Sequence, residues 1–257
     1  MNRIKGRTAI ITGATAGIGQ ACAHALAEMG VRLVLTGRRD ARLREVAAAL
    51  IEGGAEVSTY VLDVRDRDAI EAFMKWLDEK NWAPDILVNN AGLARGLDRI
   101  QDGSHEDWDE MIDTNVKGLL NMTRAVLPGM VERDHGHVVN IGSIAGRIVY
   151  PNGNVYNATK FAVRAITQAT NIDLVGTRVR ASSVDPGLVE TEFSVVRFRG
   201  DADRAEAVYQ GIDSLHPEDI ADAVAYVVNT PPHVTVQEML VMPTVQRSPY
   251  VVDRDPA

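Results

Sequence analysis

Tyr156 and Lys160 stand four positions apart in Tyr156-Asn157-Ala158-Thr159-Lys160, a stretch expected to open a helix. That spacing puts both side chains on one helical face, with their heads within reach of each other. A phenol, with a pKa near about 10, is a poor base at neutral pH. An ammonium beside it favours the phenolate, so the pair can exchange a proton with an alcohol or a carbonyl. Tyr-x-x-x-Lys arises by chance in many helices, so the pair takes its meaning from the rest of the chain. Ser143 follows the apolar run that ends at Ile141-Gly142. Its hydroxyl can donate to a substrate oxygen while the phenol moves the proton; an isolated serine there can equally cap a turn.

The elements that must position these groups alternate along the chain. Strands are expected at Thr8 to Ile11, Val31 to Thr36, Glu56 to Leu62, Ile86 to Val88, His137 to Ile141, Val179 to Val184 and Glu238 to Val241. They are short runs bounded mostly by Gly, Pro, Asn or Asp. Helical patterns fall between them: Gly17 to Met29, Asp40 to Glu52, Asp66 to Glu79, Glu106 to Glu132, Val155 to Val175 and Pro217 to Val228. Alternation of this kind implies parallel strands, right-handed crossovers and helices on both faces. With no repeat, low-complexity linker or charge block, residues 1–257 are expected to form one doubly wound α/β domain.

Between the first strand and the first helix lies Thr12-Gly13-Ala14-Thr15-Ala16-Gly17-Ile18-Gly19. Glycines let this backbone turn tightly and approach a pyrophosphate, which the helix amides and dipole can hold. Its spacing, Gly-x-x-x-Gly-x-Gly, differs from the general dinucleotide fingerprint. The second strand runs into Thr36-Gly37-Arg38-Arg39. A ribose with a free 2′-hydroxyl wants a carboxylate at that place and a 2′-phosphate wants an arginine, so Arg38 and Arg39 favour NADP(H) over NAD(H). Asp63-Val64 closes the third strand, where the carboxylate either accepts from an adenine amino group or caps the next helix. Asn89-Asn90-Ala91-Gly92 ends the fourth strand at the crevice where open α/β sheets bind ligands. Asn115 sits inside a long helical stretch, where asparagine has modest propensity; it is either a surface residue or the site of a local kink that frees a carbonyl.

Composition narrows the function classes. Hydrophobic residues make up 46% of 257, an ordinary globular share, and the formal net charge is −8. Such a charge argues against nonspecific nucleic-acid binding. Cys22 is the single cysteine, so no intrachain disulfide forms and a buried thiol is expected. No signal-like leader and no apolar run long enough to cross a bilayer is present. A cytoplasmic protein without a bound metal is the expectation.

Taken together, Thr12-Gly-x-x-x-Gly-Ile-Gly19, Asn89-Asn-Ala-Gly92, Asn115, Ser143, Tyr156-x-x-x-Lys160 and Pro186-Gly187 resemble the short-chain dehydrogenase/reductase family over essentially the whole chain. The resemblance implies a Rossmann-type, seven-stranded parallel sheet of order 3-2-1-4-5-6-7 carrying a nicotinamide cofactor. It implies that Tyr156 is the general acid/base, that Lys160 lowers its pKa and holds the nicotinamide ribose, and that Ser143 orients the substrate oxygen. By the same token Asn115 holds a water through its backbone, linking Lys160 to solvent. Arg38 takes the 2′-phosphate, and Val189 and Thr191 contact the carboxamide end of the nicotinamide. Members are usually homotetramers, with Glu106 to Glu132 and Val155 to Val175 at one interface. Thr36-Gly-Arg-Arg39, Met111-Ile-Asp-Thr-Asn115, Arg124 to Arg133, Gly153-Asn-Val-Tyr156 and Glu190-Thr-Glu-Phe-Ser194 with Val196-Arg-Phe198 resemble, more narrowly, NADP-dependent 3-hydroxy acid dehydrogenases. That group includes enzymes of serine, allo-threonine and 3-hydroxypropionate, with sulfoacetaldehyde reductases as close relatives. Asn157 and Glu190 depart from that pattern, and Arg95 and Arg147 add charge near the site, departures that bear on the preferred acid rather than on the chemistry.

A hydroxy acid brings a carboxylate or sulfonate that, on a chain of this net charge, needs a dedicated cation, best an arginine fork. Arg197, Arg147 and Arg95 are the candidates, in that order, with Tyr150 and Phe193 as walls. Residues Glu190 to Gly211 are expected to form a lid that orders over the cofactor and excludes water. Two other functions compete: a broad carbonyl reductase of neutral aldehydes and ketones, and a regulator that binds NADPH without turnover. The residues from Ser248 to Ala257 either wrap a neighbouring subunit or fray.

Overall fold

The computed structural model describes residues 1–255. Seven parallel strands form one sheet, β1 Thr8–Thr12, β2 Arg32–Gly37, β3 Val57–Val61, β4 Ile86–Asn89, β5 Gly136–Ile141, β6 Val179–Pro186 and β7 Glu238–Val241, in the order β3-β2-β1-β4-β5-β6-β7. The expected order is the observed one. β1, β4, β5 and β6 are buried along their whole length, as parallel strands covered on both faces must be. The edge strand β3 stays half-exposed.

Each face has its own helical cover. On one side α1 (Gly17–Glu28), α2 (Asp40–Glu52) and α9 (Pro217–Val228) supply Leu26, Leu43, Leu50, Ile220 and Val224 to a core with Ile11, Leu33 and Val139. On the other, α3 (Arg67–Glu79) and α5 (Leu119–Glu132) bring Phe73, Leu77, Met122 and Met130 against Ile10, Leu87 and Val138. Burying each such side chain contributes roughly 1.5–3 kcal/mol against the entropy of ordering the chain. Cys22 is buried in the first of these cores, its thiol pushed up to about 12 by loss of solvent.

Beyond shifts of one or two residues at element ends, two features differ from the sequence reading, each for a local reason. The expected helix Glu106 to Glu132 is broken into α4 (His105–Ile112), a π-helical turn Asp113–Gly118 and α5. Asn115 lies inside that turn and is buried, so it is not a surface residue. Asp63 does not cap α3. Asp66 does, accepting from the Ala69 N–H at 3.0 Å, while Asp63 bonds the backbone and guanidinium of Arg65. Two short helices unforeseen from sequence, α7 (Phe193–Arg197) and α8 (Ala202–Tyr209), follow α6 (Asn154–Asp173) and β6.

The C-terminal segment folds back on its own chain. Val252 pairs with Gln246 in an antiparallel bridge, the Tyr250 hydroxyl donates to the Val149 carbonyl, and Arg254 donates to the Gln210 carbonyl at 3.2 Å. Pro256 and Ala257 lie outside the described residues. Among those described, no helix is long and apolar enough to cross a membrane, and no group of three or more His, Cys, Asp or Glu is placed to hold a metal ion.

Candidate active site

At the carboxyl ends of β1, β4, β5 and β6 the loops diverge around a cavity of about 690 Å³, where open α/β sheets place their ligands. Its floor is the glycine turn. Gly13 and Gly17 have φ of 66° and 53°, left-handed values that favour glycine. A Cβ on Gly13 would press on Ala91 and Asn90 at 3.0 Å, and one on Gly17 on Thr191 at 3.1 Å. The turn is stapled to the β4 loop: Thr12 Oγ1 accepts from the N–H groups of Asn90 and Ala91, and Asn90 Nδ2 donates to the carbonyls of Thr12 and Gly13.

α1 begins at Ala16 with no side-chain cap and no acidic residue in its first turn, which leaves its amides to an external anion. Thr15, Ala16, Gly17, Ile18, Arg38, Arg39, Asp63, Val64, Asn90, Ala91, Gly92, Pro186, Gly187, Val189 and Thr191 line the cavity. Gly19 does not: a side chain there would collide with Asn90 Nδ2 and the Gly13 carbonyl, so this glycine serves close packing. Arg39 donates to Thr15 Oγ1 at 2.8 and 3.1 Å and to Glu192 at 2.9 Å. Arg38 lines the same wall and has, among the described residues, no carboxylate at ion-pair distance. Thr114 Oγ1 is buried at the cavity without a partner. An uncapped helix end, a glycine floor and a free arginine fit a phosphorylated dinucleotide.

The opposite wall carries the reactive groups. Ser143 opens a short turn after β5, its Oγ accepting from the Ala145 N–H at 3.1 Å. Tyr156 and Lys160, both buried on α6, face the same cavity. Lys160 Nζ donates to the Ile141 carbonyl at 2.8 Å and lies 5.9 Å from the centroid of the Tyr156 ring. Burial dominates both groups. It raises the Tyr156 phenol above its ordinary value, against the lowering effects of Ser143 and Arg197, and lowers Lys160 to about 8. The expected acidifying contact from Lys160 is therefore absent in this geometry, because the amine is spent on a backbone carbonyl.

Asn115 joins the π turn to the β4 loop, accepting from the Leu93 N–H and donating to its carbonyl, both at 2.8 Å, with a further bond to Thr159 at 3.1 Å. A π turn leaves backbone groups out of register with the α pattern, which suits the carbonyl role inferred for this position.

The three candidate acid readers separate. Arg197 lines the cavity, its guanidinium 5.5 Å from the Tyr156 ring centroid, bonded to the Gly96 carbonyl at 2.9 Å and the Tyr150 hydroxyl at 3.0 Å, with no carboxylate partner among the described residues. Tyr150 and Phe193 line it too, the Phe193 and Tyr156 rings 5.6 Å apart. Arg95 turns to Glu110 at 2.7 Å and to the Val196 carbonyl. Arg147 turns behind the wall to Asp185 and Glu238. Neither of the last two lines the cavity, and their charge is already compensated. Asp185 was invisible to sequence reasoning: its partner lies 38 positions away, and no local spacing announces it. Gln246, which also lines the cavity and accepts from the Leu188 N–H at 2.9 Å, carried no signal either.

Fold and cavity together define a doubly wound dinucleotide-binding protein with a Ser-Tyr-Lys wall. The model of the short chain dehydrogenase family matches residues 7–202, and the chain belongs to that family. It is 50% identical over 238 residues to an NADP-dependent 3-hydroxy acid dehydrogenase of Salmonella typhi, covering 92% of this chain and 95% of that one. It is 46% identical over 248 residues to sulfoacetaldehyde reductase 2 of Chromohalobacter salexigens, covering 96% and 98%. Among solved structures it resembles the closed form of a serine dehydrogenase complexed with NADP+, with a TM-score of 0.91 and 48% identity over 94% of this chain and 97% of the other.

Proposed function

We propose that this protein is an NADP(H)-dependent oxidoreductase that interconverts a small 3-hydroxy acid, or a short hydroxy sulfonate, with its oxo form. The observation that carries the acidic substrate is Arg197, a cavity-lining guanidinium beside Tyr156 without a carboxylate partner among the described residues. Relatives named for 3-hydroxy acids, serine and sulfoacetaldehyde support the same reading. When bound, the nicotinamide supplies or accepts the hydride.

The chain's own groups handle the proton and the orientation. Tyr156 takes the hydroxyl proton in oxidation and returns it in reduction. Ser143 holds the reacting oxygen, and Lys160, leaving the Ile141 carbonyl, engages the ribose and offsets charge on the phenolate. Asn115 supports proton relay from Lys160 through the π turn. Arg38 receives the 2′-phosphate. Arg197 and the Tyr150 hydroxyl hold the substrate's acid group, and Phe193 closes the apolar side.

Residues 190–211, with α7 and α8, act as the lid over a single domain. Equal protease sensitivity of this segment with and without NADPH counts against the lid. Exposed Ile112, Leu120, Val131, Phe161 and Ile172 on α4, α5 and α6 support a homotetramer, and a cytoplasmic location accompanies the reading.

Steady-state kinetics with NADP(H) and NAD(H) test the proposal, across serine, 3-hydroxypropionate, malonic semialdehyde, sulfoacetaldehyde and the neutral aldehyde propanal. Preference for the acids with NADP(H) is expected. Faster turnover of propanal identifies a general carbonyl reductase, and cofactor binding without turnover a sensor.

A further inference from the structure

Behind the reactive wall, four elements converge on one charged ladder. Arg147, four residues past Ser143, donates through Nε to Asp185 Oδ2 at 2.8 Å and through its terminal nitrogen to Glu238 Oε2 at 2.7 Å. From α6, Arg164 and Gln168 reach the other oxygen of Glu238 at 3.0 and 2.5 Å. Asp185, on β6 beside Pro186-Gly187, is 2% exposed, and its second oxygen accepts from the Ser183 hydroxyl. Burial of this kind is costly for a carboxylate unless it is paired. The ladder therefore joins the Ser143 turn, the α6 helix, β6 and β7.

The position of Asp185 is specific. A Cβ on Gly142 would overlap its Oδ1, and Gly142 lies between Ile141, whose carbonyl holds Lys160, and Ser143. The carboxylate thus lies against the stretch of backbone that joins the lysine's acceptor to the serine.

We propose that Asp185 is a positioning residue for proton transfer, a buried counter-charge that acts on Tyr156 through Lys160, while Arg147 sets its strength and fixes the Ser143 turn. The inference rests on the proton-transfer role proposed above for Tyr156 and Lys160. Lys160 is the group at risk: burial lowers it to about 8, and Asp185 is the charge that raises it.

The neighbouring groups are few. Lys160 faces Tyr156 on its own helix, the Ile141 carbonyl from β5 and Asp185 from β6. Tyr156 faces Ser143, Tyr150, Arg197 and Tyr209. Asp185 faces Arg147, Ser183 and, at longer range, Arg164. Removing the Asp185 charge leaves the ammonium less stabilised and the phenolate less repelled, so the coupled pair releases its proton at lower pH. Removing the Arg147 charge does the opposite. A purely structural defect has no reason to move the two variants in opposite directions.

The test is the pH dependence of kcat/KM for NADPH-driven reduction, using the fastest carbonyl substrate among malonic semialdehyde, sulfoacetaldehyde and propanal. In Asp185→Asn the alkaline limb is expected to move to lower pH, and in Arg147→Met to higher pH, each on the order of one pH unit or less. Asp185→Glu and Arg147→Lys should restore the wild-type limb. If Asp185→Asn does not fold, the Arg147→Met and Arg147→Lys pair carries the test alone. No displacement, or displacement in one common direction, overturns the inference. Tyr156→Phe keeps the two levels apart: retained turnover there removes the proton-transfer reading itself, whereas lost turnover with unmoved limbs removes only the role of Asp185.

Discussion

Glu192, in the segment that follows Pro186-Gly187, reaches over the mouth of the cleft to the Arg39 guanidinium at 2.9 Å, and that guanidinium also holds Thr15 Oγ1 of the glycine turn. Two adjacent arginines at the end of β2 are thereby given different tasks. Arg39 ties the glycine turn to the segment after Pro186-Gly187, whereas Arg38 has, among the described residues, no carboxylate at ion-pair distance.

Arg38→Ala should therefore weaken NADPH far more than NADH, by about tenfold or more, since a charged hydrogen bond contributes roughly 1.5–3 kcal/mol and part of this is screened at an exposed site. Titrations of NADPH and NADH fluorescence measure the ratio. Equal losses for the two cofactors would refute the 2′-phosphate contact.

Arg197→Met should raise KM for malonic semialdehyde or sulfoacetaldehyde by about 10-fold to 100-fold, with little change for propanal, because only the acid substrates lose a charge-assisted bond. Parallel losses for acids and neutral aldehydes would mean that Arg197 shapes the cavity, through Gly96 and Tyr150, rather than reading charge.

Gly19→Ala separates packing from ligand contact at the glycine turn. The added methyl meets Asn90 Nδ2 and the Gly13 carbonyl, and overpacking of this kind costs about 1–3 kcal/mol. Thermal unfolding without added cofactor should show the loss. An unchanged midpoint accompanied by weaker NADPH binding would restore Gly19 to the ligand-contacting set.

Much of the site was legible because its signals are local. The glycine turn, the Asn-Asn-Ala-Gly turn and Tyr156-x-x-x-Lys160 each occupy one strand end or one helical turn, and the strand–helix alternation places those ends on one rim. What failed was long-range. Arg147 follows Ser143 closely, but proximity along the chain does not say on which side of the wall a side chain emerges; Asp185 and Glu238, both distant in sequence, decide that. The direction in which Lys160 points was likewise set by a carbonyl on β5, which no helical spacing reports. α7 and α8 were missed because a five-residue and an eight-residue helix offer too few turns for a periodic signal.

His137 makes stability depend on pH at the far end of the sheet. It is buried on β5 with Nε2 at 2.8 Å from Ser182 Oγ, and burial, reinforced by the charge of Arg180, holds it well below its ordinary value near 6.5. The folded chain thus refuses a proton that the unfolded chain accepts, and stability falls as pH drops below about 6.5, at up to about 1.4 kcal/mol per pH unit for this one group. His135, also lowered by burial, adds in the same direction. Denaturant unfolding between about pH 6.5 and 5 should show a shallower slope in His137→Gln than in the wild type. Identical slopes would contradict the assignment.

The most direct measurement is made on Tyr156→Phe, which removes one oxygen from the wall and leaves the ring against Phe193. NADPH binding, followed by fluorescence, should match the wild type, while turnover of every substrate on the panel should fall by at least about 100-fold, the scale of general acid–base catalysis. Turnover within a few-fold of wild type, at unchanged NADPH affinity, would contradict the account.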